Sequence, residues 1–155
     1  MTEEFLNEAY RRAGVERSGK FFRFPNLNRG GTEEREKELQ NYLLDKGFSK
    51  PGFENIGYDW YYKFGEHEYV DVGCTFDTKD YMLFEEGEPD TIDELLERFE
   101  RDEPGKGLGL NYEGSNDILM MHDHPFSDRE LSNKAFYAII DRLDEKNIEV
   151  VLPGN

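Results

Sequence analysis

A chain of 155 residues with 35 acidic against 19 basic side chains, a net charge of −16, is the size of one ordinary domain, and its field repels nucleic acid and favours basic partners. No apolar run approaches the roughly 20 residues of a membrane span, and Met1-Thr2-Glu3-Glu4 lacks the basic and apolar regions of a secretory signal, so a cytoplasmic protein with no membrane partner is expected. The single cysteine, Cys74, excludes an internal disulfide, and its alternation with Val70, Val72 and Phe76 suits a buried small hydrophobe rather than a nucleophile.

In chain order, residues 3–12 form a short amphipathic helix with Phe5, Leu6, Ala9 and Tyr10 on one side. Residues 10–30 then hold Arg11, Arg12, Arg17, Lys20, Arg23 and Arg29 against Glu16 alone, so an arm of local positive charge precedes a strongly acidic remainder. Lys20-Phe21-Phe22-Arg23-Phe24 mixes aromatics with cations, but one pair of cations falls short of a stacking platform for single strands. The arm is expected to dock on the protein's own body, without direct nucleic-acid contact. Residues 1–31 thus read as an N-terminal helix and basic aromatic arm, and residues 32–155 as an α+β domain.

A helix begins after the N-cap Thr32, carries Glu33 and Glu34 in its first turn, packs through Leu39, Tyr42, Leu43 and Lys46, and ends at Gly47. Tyr58, Trp60, Tyr62 and Phe64 alternate with Asp59, Tyr61 and Lys63, and Val70, Val72, Cys74 and Phe76 alternate with Asp71, Gly73 and Thr75, which predicts a β-hairpin turning near Gly65. Asp71 and Asp77 then read as outward-facing carboxylates near the ends of a half-exposed strand. Residues 81–84 make a third strand. Thr91-Ile92-Asp93-Glu94 is a capping box opening a helix with Leu95, Leu96 and Phe99, stopped by Pro104. Gly105-Lys106-Gly107-Leu108-Gly109 follows a helix and lacks the Walker spacing, so it reads as a flexible turn. A strand over 118–122, a helix opened by Ser127-Asp128-Arg129-Glu130 and running through Phe136, Ile139, Ile140 and Leu143, and a strand over 148–152 complete the chain. The predicted fold is a single α+β domain: a mixed sheet of about five strands with helices packed on it, in the order α-β-β-β-α-β-α-β after the N-terminal helix.

Two of the chain's three histidines, His122 and His124, stand one residue apart at a predicted strand end, where period-2 alternation sets both imidazoles on one face. The run His122-Asp123-His124-Pro125 followed by Ser127-Asp128-Arg129-Glu130 resembles the signature of the JAMM (MPN or JAB-like) metalloproteases, in which His-x-His-Pro ends a strand and Ser-x-x-Asp opens a helix. By element order the resemblance covers residues 33–153; by motif it covers nine residues. Here Glu130 stands where that family has Asp, and Phe126 alone replaces a longer loop. The resemblance implies zinc as cofactor, His122, His124 and Glu130 as its ligands, Ser127 as an oxyanion stabiliser, and hydrolysis of a peptide or isopeptide bond in a JAMM-like fold. It also implies a general-base glutamate in a Glu-x-x-Gly pattern, which Glu54-Asn55-Ile56-Gly57 fits, with Glu66 and Glu68 as competitors. Three protein ligands would leave an open position for an activated water. Ser127 and Glu130 are equally explained as a helix cap.

The charge supports a function of a different class, a non-enzymatic inhibitor or immunity-type protein that blocks a basic nuclease, toxin or nucleic-acid-binding effector. Its partner would be a basic protein or peptide, engaged through aromatics such as Tyr58, Trp60, Tyr61 and Tyr62.

Overall fold

The computed structural model describes residues 2–84, 91–100, 110, 115–122 and 129–151. Contacts divide them into two compact units, one formed by residues 2–53 and 65–73 with Val151, the other by residues 54–64 and 74–150.

In the first unit, helix α1 (Thr2–Ala13) has Glu3 and Glu4 in its first turn and Arg11 and Arg12 in its last, each matched to the helix macrodipole. It stops at Gly14, which adopts φ 68°, and the Val15 N–H reaches back to the Tyr10 carbonyl at 3.2 Å. Helix α2 (Glu33–Asp45) starts and ends as its caps require: the Thr32 hydroxyl accepts the Arg35 N–H at 3.3 Å, and Gly47 takes φ 74°. Leu43 is its buried residue, whereas Tyr42 is exposed.

The aromatic arm packs within this unit. Phe22 meets Phe24 and Phe48 edge-on at 4.9 and 5.4 Å, and the Lys20 ammonium lies 4.1 Å over the Phe48 ring. Residues 65–73 are not a strand. Their main chain bonds elsewhere, Val70 N–H to the Gln40 side chain and Val72 N–H to the Phe22 carbonyl, both at 2.7 Å. Arg29 fastens the segment: it grips Glu66 with two bonds of 2.9 Å, reaches Asp71 at 3.1 Å, and stacks 3.8 Å over Tyr69. Asp71, expected to face outward, is instead 1% exposed, and Gln40 also donates to it at 2.5 Å. Burial alone would lower the Arg29 pKa, but the Glu66 hydrogen bonds and the Asp71 and Glu66 charges raise it well above its ordinary value.

In the second unit, residues expected to form the first hairpin strand form helix α3 (Asp59–Lys63). Tyr58 and Tyr61 stand three residues apart, the spacing of one helical face, and both are buried, whereas Tyr62 and Phe64, which the alternation would have turned inward, are exposed. Strand β1 (Phe76–Asp77) follows, and residues 81–84, expected as a strand, lie in a 3-10 helix (Asp80–Phe84). Helix α4 (Ile92–Glu97) opens where its capping box stands, Thr91 accepting the Glu94 N–H at 3.2 Å. Strand β2 (Leu119–Met120) pairs parallel to β1 with Phe76 opposite Leu119 and Asp77 opposite Met120. Helix α5 (Arg129–Glu145) comes next, and residues 148–151 form no strand.

The expected α+β fold, a JAMM-like mixed sheet of about five strands, is therefore corrected: among the described residues the sheet has two strands of two residues each, and the rest of the regular structure is helical. The core is built on helix α4, the 3-10 helix that follows it (Arg98–Glu100) and helix α5, with Leu95, Phe99, Ala135, Ile139 and Leu143 closing on Phe76 and Leu110. Phe76 and Phe99 meet edge-to-face at 5.5 Å. Cys74 lies outside this core and is partly exposed. Among the described residues, no helix is long and apolar enough to cross a membrane.

Candidate functional site

The β1–β2 register determines what stands beside His122. Asp77 ends β1 and its Oδ1 accepts the Lys79 N–H at 2.9 Å, which turns the chain through Lys79 at φ 54° and brings Asp80 back toward the end of β2. The Thr78 hydroxyl donates to Asp80 Oδ1 at 2.7 Å. Two residues after β2, the His122 main-chain N–H donates to both Asp80 oxygens at 3.1 Å, and its Nδ1 lies 2.7 Å from Oδ1.

Because an ionised carboxylate can only accept, Nδ1 is the donor in that bond, and the imidazole is fixed in tautomer and direction. Asp77 Oδ1 lies 3.9 Å from the same nitrogen, and the Tyr81 ring meets the imidazole edge-on at 4.8 Å. Asp77 and Asp80 are each 6% exposed, so Asp77, like Asp71, is corrected from an outward to a buried carboxylate. The arrangement can orient an imidazole for proton transfer or ligation through Nε2.

Among the described residues, the other members of the predicted site are not gathered here. Glu130 sits in the first turn of α5, exposed, with its Oε1 2.7 Å from Lys134 Nζ. His124 and Ser127 lie outside the described residues. Glu54 is exposed, and its carbonyl accepts from Asn116 Nδ2 at 2.9 Å, at the start of the segment that ends in His122. Glu66 is held by Arg29, and Glu68 stands exposed with its Oε1 3.8 Å from His67. Among the described residues, no three His, Cys, Asp or Glu side chains are grouped to hold a metal ion.

Asp80 is the member that sequence reasoning missed. Asp77-Thr78-Lys79-Asp80 carries turn chemistry that would have located it, but the strand expected over 81–84 drew attention past it.

A second polar cluster fixes the beginning of the β2 segment. The Tyr58 and Thr75 hydroxyls both donate to Asp117 Oδ1 at 2.7 Å, and the Thr75 oxygen accepts the Ile118 N–H at 2.8 Å. Burial pushes the Asp117 carboxyl above its ordinary value, against the pull of the Thr75 and Tyr58 hydrogen bonds. Its role is to hold α3 against the sheet.

Among the described residues, helix α5 presents a face of mixed character. On α5, Phe136, Tyr137 and Ile140 are 49%, 63% and 37% exposed, and the two rings meet edge-to-face at 5.5 Å. Helical spacing sets Glu130, Asp141 and Asp144, all exposed, along the same outward arc. No family model, curated protein or solved structure matches the chain.

Proposed function

We propose that the protein is a non-enzymatic acidic inhibitor of the immunity type, which occupies a basic surface of another protein such as the nucleic-acid-binding face of a nuclease or effector. The observation that carries this reading is the outward face of α5, where exposed Phe136, Tyr137 and Ile140 lie among Glu130, Asp141 and Asp144 on a chain of net charge −16. Aromatic side chains supply the desolvated anchors of an interface, and surrounding carboxylates steer a cationic partner into register. Self-pairing of this face would oppose like charges.

The test is to identify a retained partner, purify it, and measure its nucleic-acid binding with and without this protein. The reading expects a basic partner that nucleic acid displaces, with at least tenfold weaker binding to Phe136→Ala/Tyr137→Ala. A partner that binds nucleic acid and this protein simultaneously overturns it.

The Asp80–His122 bond supports a second reading, the zinc-dependent hydrolase. Zinc would need His124 and Glu130 beside His122, but Glu130 is paired with Lys134 on the solvent side and the described residues do not by themselves make a zinc site. The metal content of protein purified without added metal, beside His122→Ala, tests this reading: about one zinc per chain, lost in the variant, supports it. No zinc after addition removes it.

A further inference from the structure

We infer that Tyr137, Asp141 and Asp144 of α5 form a seat for an arginine side chain of the basic partner. This rests on the reading of that face as the contact surface, and it names the chemistry the face selects.

Helical geometry brings the three residues together. Tyr137, Asp141 and Asp144 follow i, i+4, i+7 spacing, which sets them on one outward arc of α5, opposite the buried Ala135, Ile139 and Leu143. Residues three and four apart on a helix stand about 5–6 Å apart at Cβ, and each Cα–Cβ bond leans toward the N-terminus, so Asp141 leans toward the ring. Tyr137 is 63% exposed, with exposed Phe136 and Ile140 beside it.

The charges of the helix single out these two acids. Glu130 binds Lys134 at 2.7 Å and Glu145 binds Arg142 at 3.2 Å, whereas Asp141 and Asp144 have no cationic partner among the described residues. No cation covers Tyr137 among them either, although Arg17 lies over Tyr10 and Lys46 over Tyr42. An open ring thus stands beside two uncompensated carboxylates, in the last turn of α5 where the macrodipole is negative.

The chain itself shows what fills such an arrangement. In the first unit, Arg29 stacks 3.8 Å over Tyr69 while it bonds Glu66 at 2.9 Å and Asp71 at 3.1 Å. A planar guanidinium covers a ring and turns its N–H fork to carboxylates at once, whereas a lysine ammonium is a strongly hydrated point charge. On α5 the same three groups, a phenol ring and two carboxylates, face solvent without an arginine. Phe136 and Ile140 offer apolar surface to its aliphatic stem.

Isothermal titration calorimetry of the full chain with octa-arginine and octa-lysine peptides tests the inference. Octa-arginine should bind about fivefold more tightly than octa-lysine. Tyr137→Leu and Asp141→Asn/Asp144→Asn should each bring the two peptides to equal affinity, with an unchanged circular dichroism spectrum because all three side chains are exposed. Glu38→Gln/Glu149→Gln, which removes the same charge from exposed positions elsewhere, should leave the preference intact. Equal binding of the two peptides to the unaltered chain overturns the inference. So does a preference that survives either α5 variant, or one lost equally in Glu38→Gln/Glu149→Gln. Each of these leaves the inhibitor reading standing, whereas a partner that binds nucleic acid and this protein simultaneously removes that reading and leaves the peptide result untouched.

Discussion

Asp80 holds His122 at three points, accepting the main-chain N–H with both oxygens at 3.1 Å and the Nδ1 proton with one at 2.7 Å. A buried carboxylate that engages both the backbone and the ring of one histidine ties the turn after β1 to the end of β2. Asp80→Ala should cost about 2–3 kcal/mol, because it removes a charge-assisted bond and leaves the His122 amide without its acceptor. Urea denaturation measures this, and an unchanged midpoint would mean the pair is dispensable.

Arg29 is the counter-charge of a buried acid. Asp71 is fully buried, and Arg29→Ala would leave it the Gln40 amide but no counter-charge, with an expected loss of about 3–5 kcal/mol. The paired change Arg29→Met/Asp71→Asn should recover much of that loss. Burial, assisted by the Glu36 hydrogen bond, pushes the neighbouring Tyr69 phenol up to about 12. Its ionisation, followed by ultraviolet absorbance, should lag behind that of the exposed tyrosines.

Asp117 gives stability a defined pH dependence. Its folded-state pKa lies above the ordinary 3.8, so the folded chain binds the proton more tightly than the unfolded chain does. The stability it contributes is full below 3.8 and is lost as pH rises through the folded value. Asp117→Asn keeps an acceptor for Tyr58 and Thr75 without a charge, and should flatten this dependence in urea unfolding followed across that range.

Tyr61 and Tyr62 separate the observed helix from the expected strand. A strand with Trp60, Tyr62 and Phe64 inward would leave Tyr61 outward; in α3, Tyr61 is 5% exposed and Tyr62 48%. Tyr61→Ala should therefore destabilise by about 3 kcal/mol and Tyr62→Ala by less than about 0.5 kcal/mol. The reverse order would restore the strand.

Helices α2 and α4 were legible because their ends are written in short-range chemistry: Thr32 and Thr91 cap where expected, and Gly47 terminates α2 in the left-handed conformation. The sheet was not, because residues 58–64 satisfy both the period of a strand and that of a helix, and long-range packing decides between them. Residues 65–73 alternate like a strand, yet Gln40 and Phe22 take the hydrogen bonds a neighbouring strand would have taken. In the candidate site, His122 stood out by rarity, whereas Asp80 comes to it only through the β1–β2 register, a tertiary fact.

The central claim, an acidic aromatic face that engages a basic protein, is tested most directly by the association rate with the purified partner across a salt series. Between about 50 and 500 mM salt that rate should fall at least tenfold, as expected of electrostatically steered encounter. A rate that stays level across the series would contradict the claim.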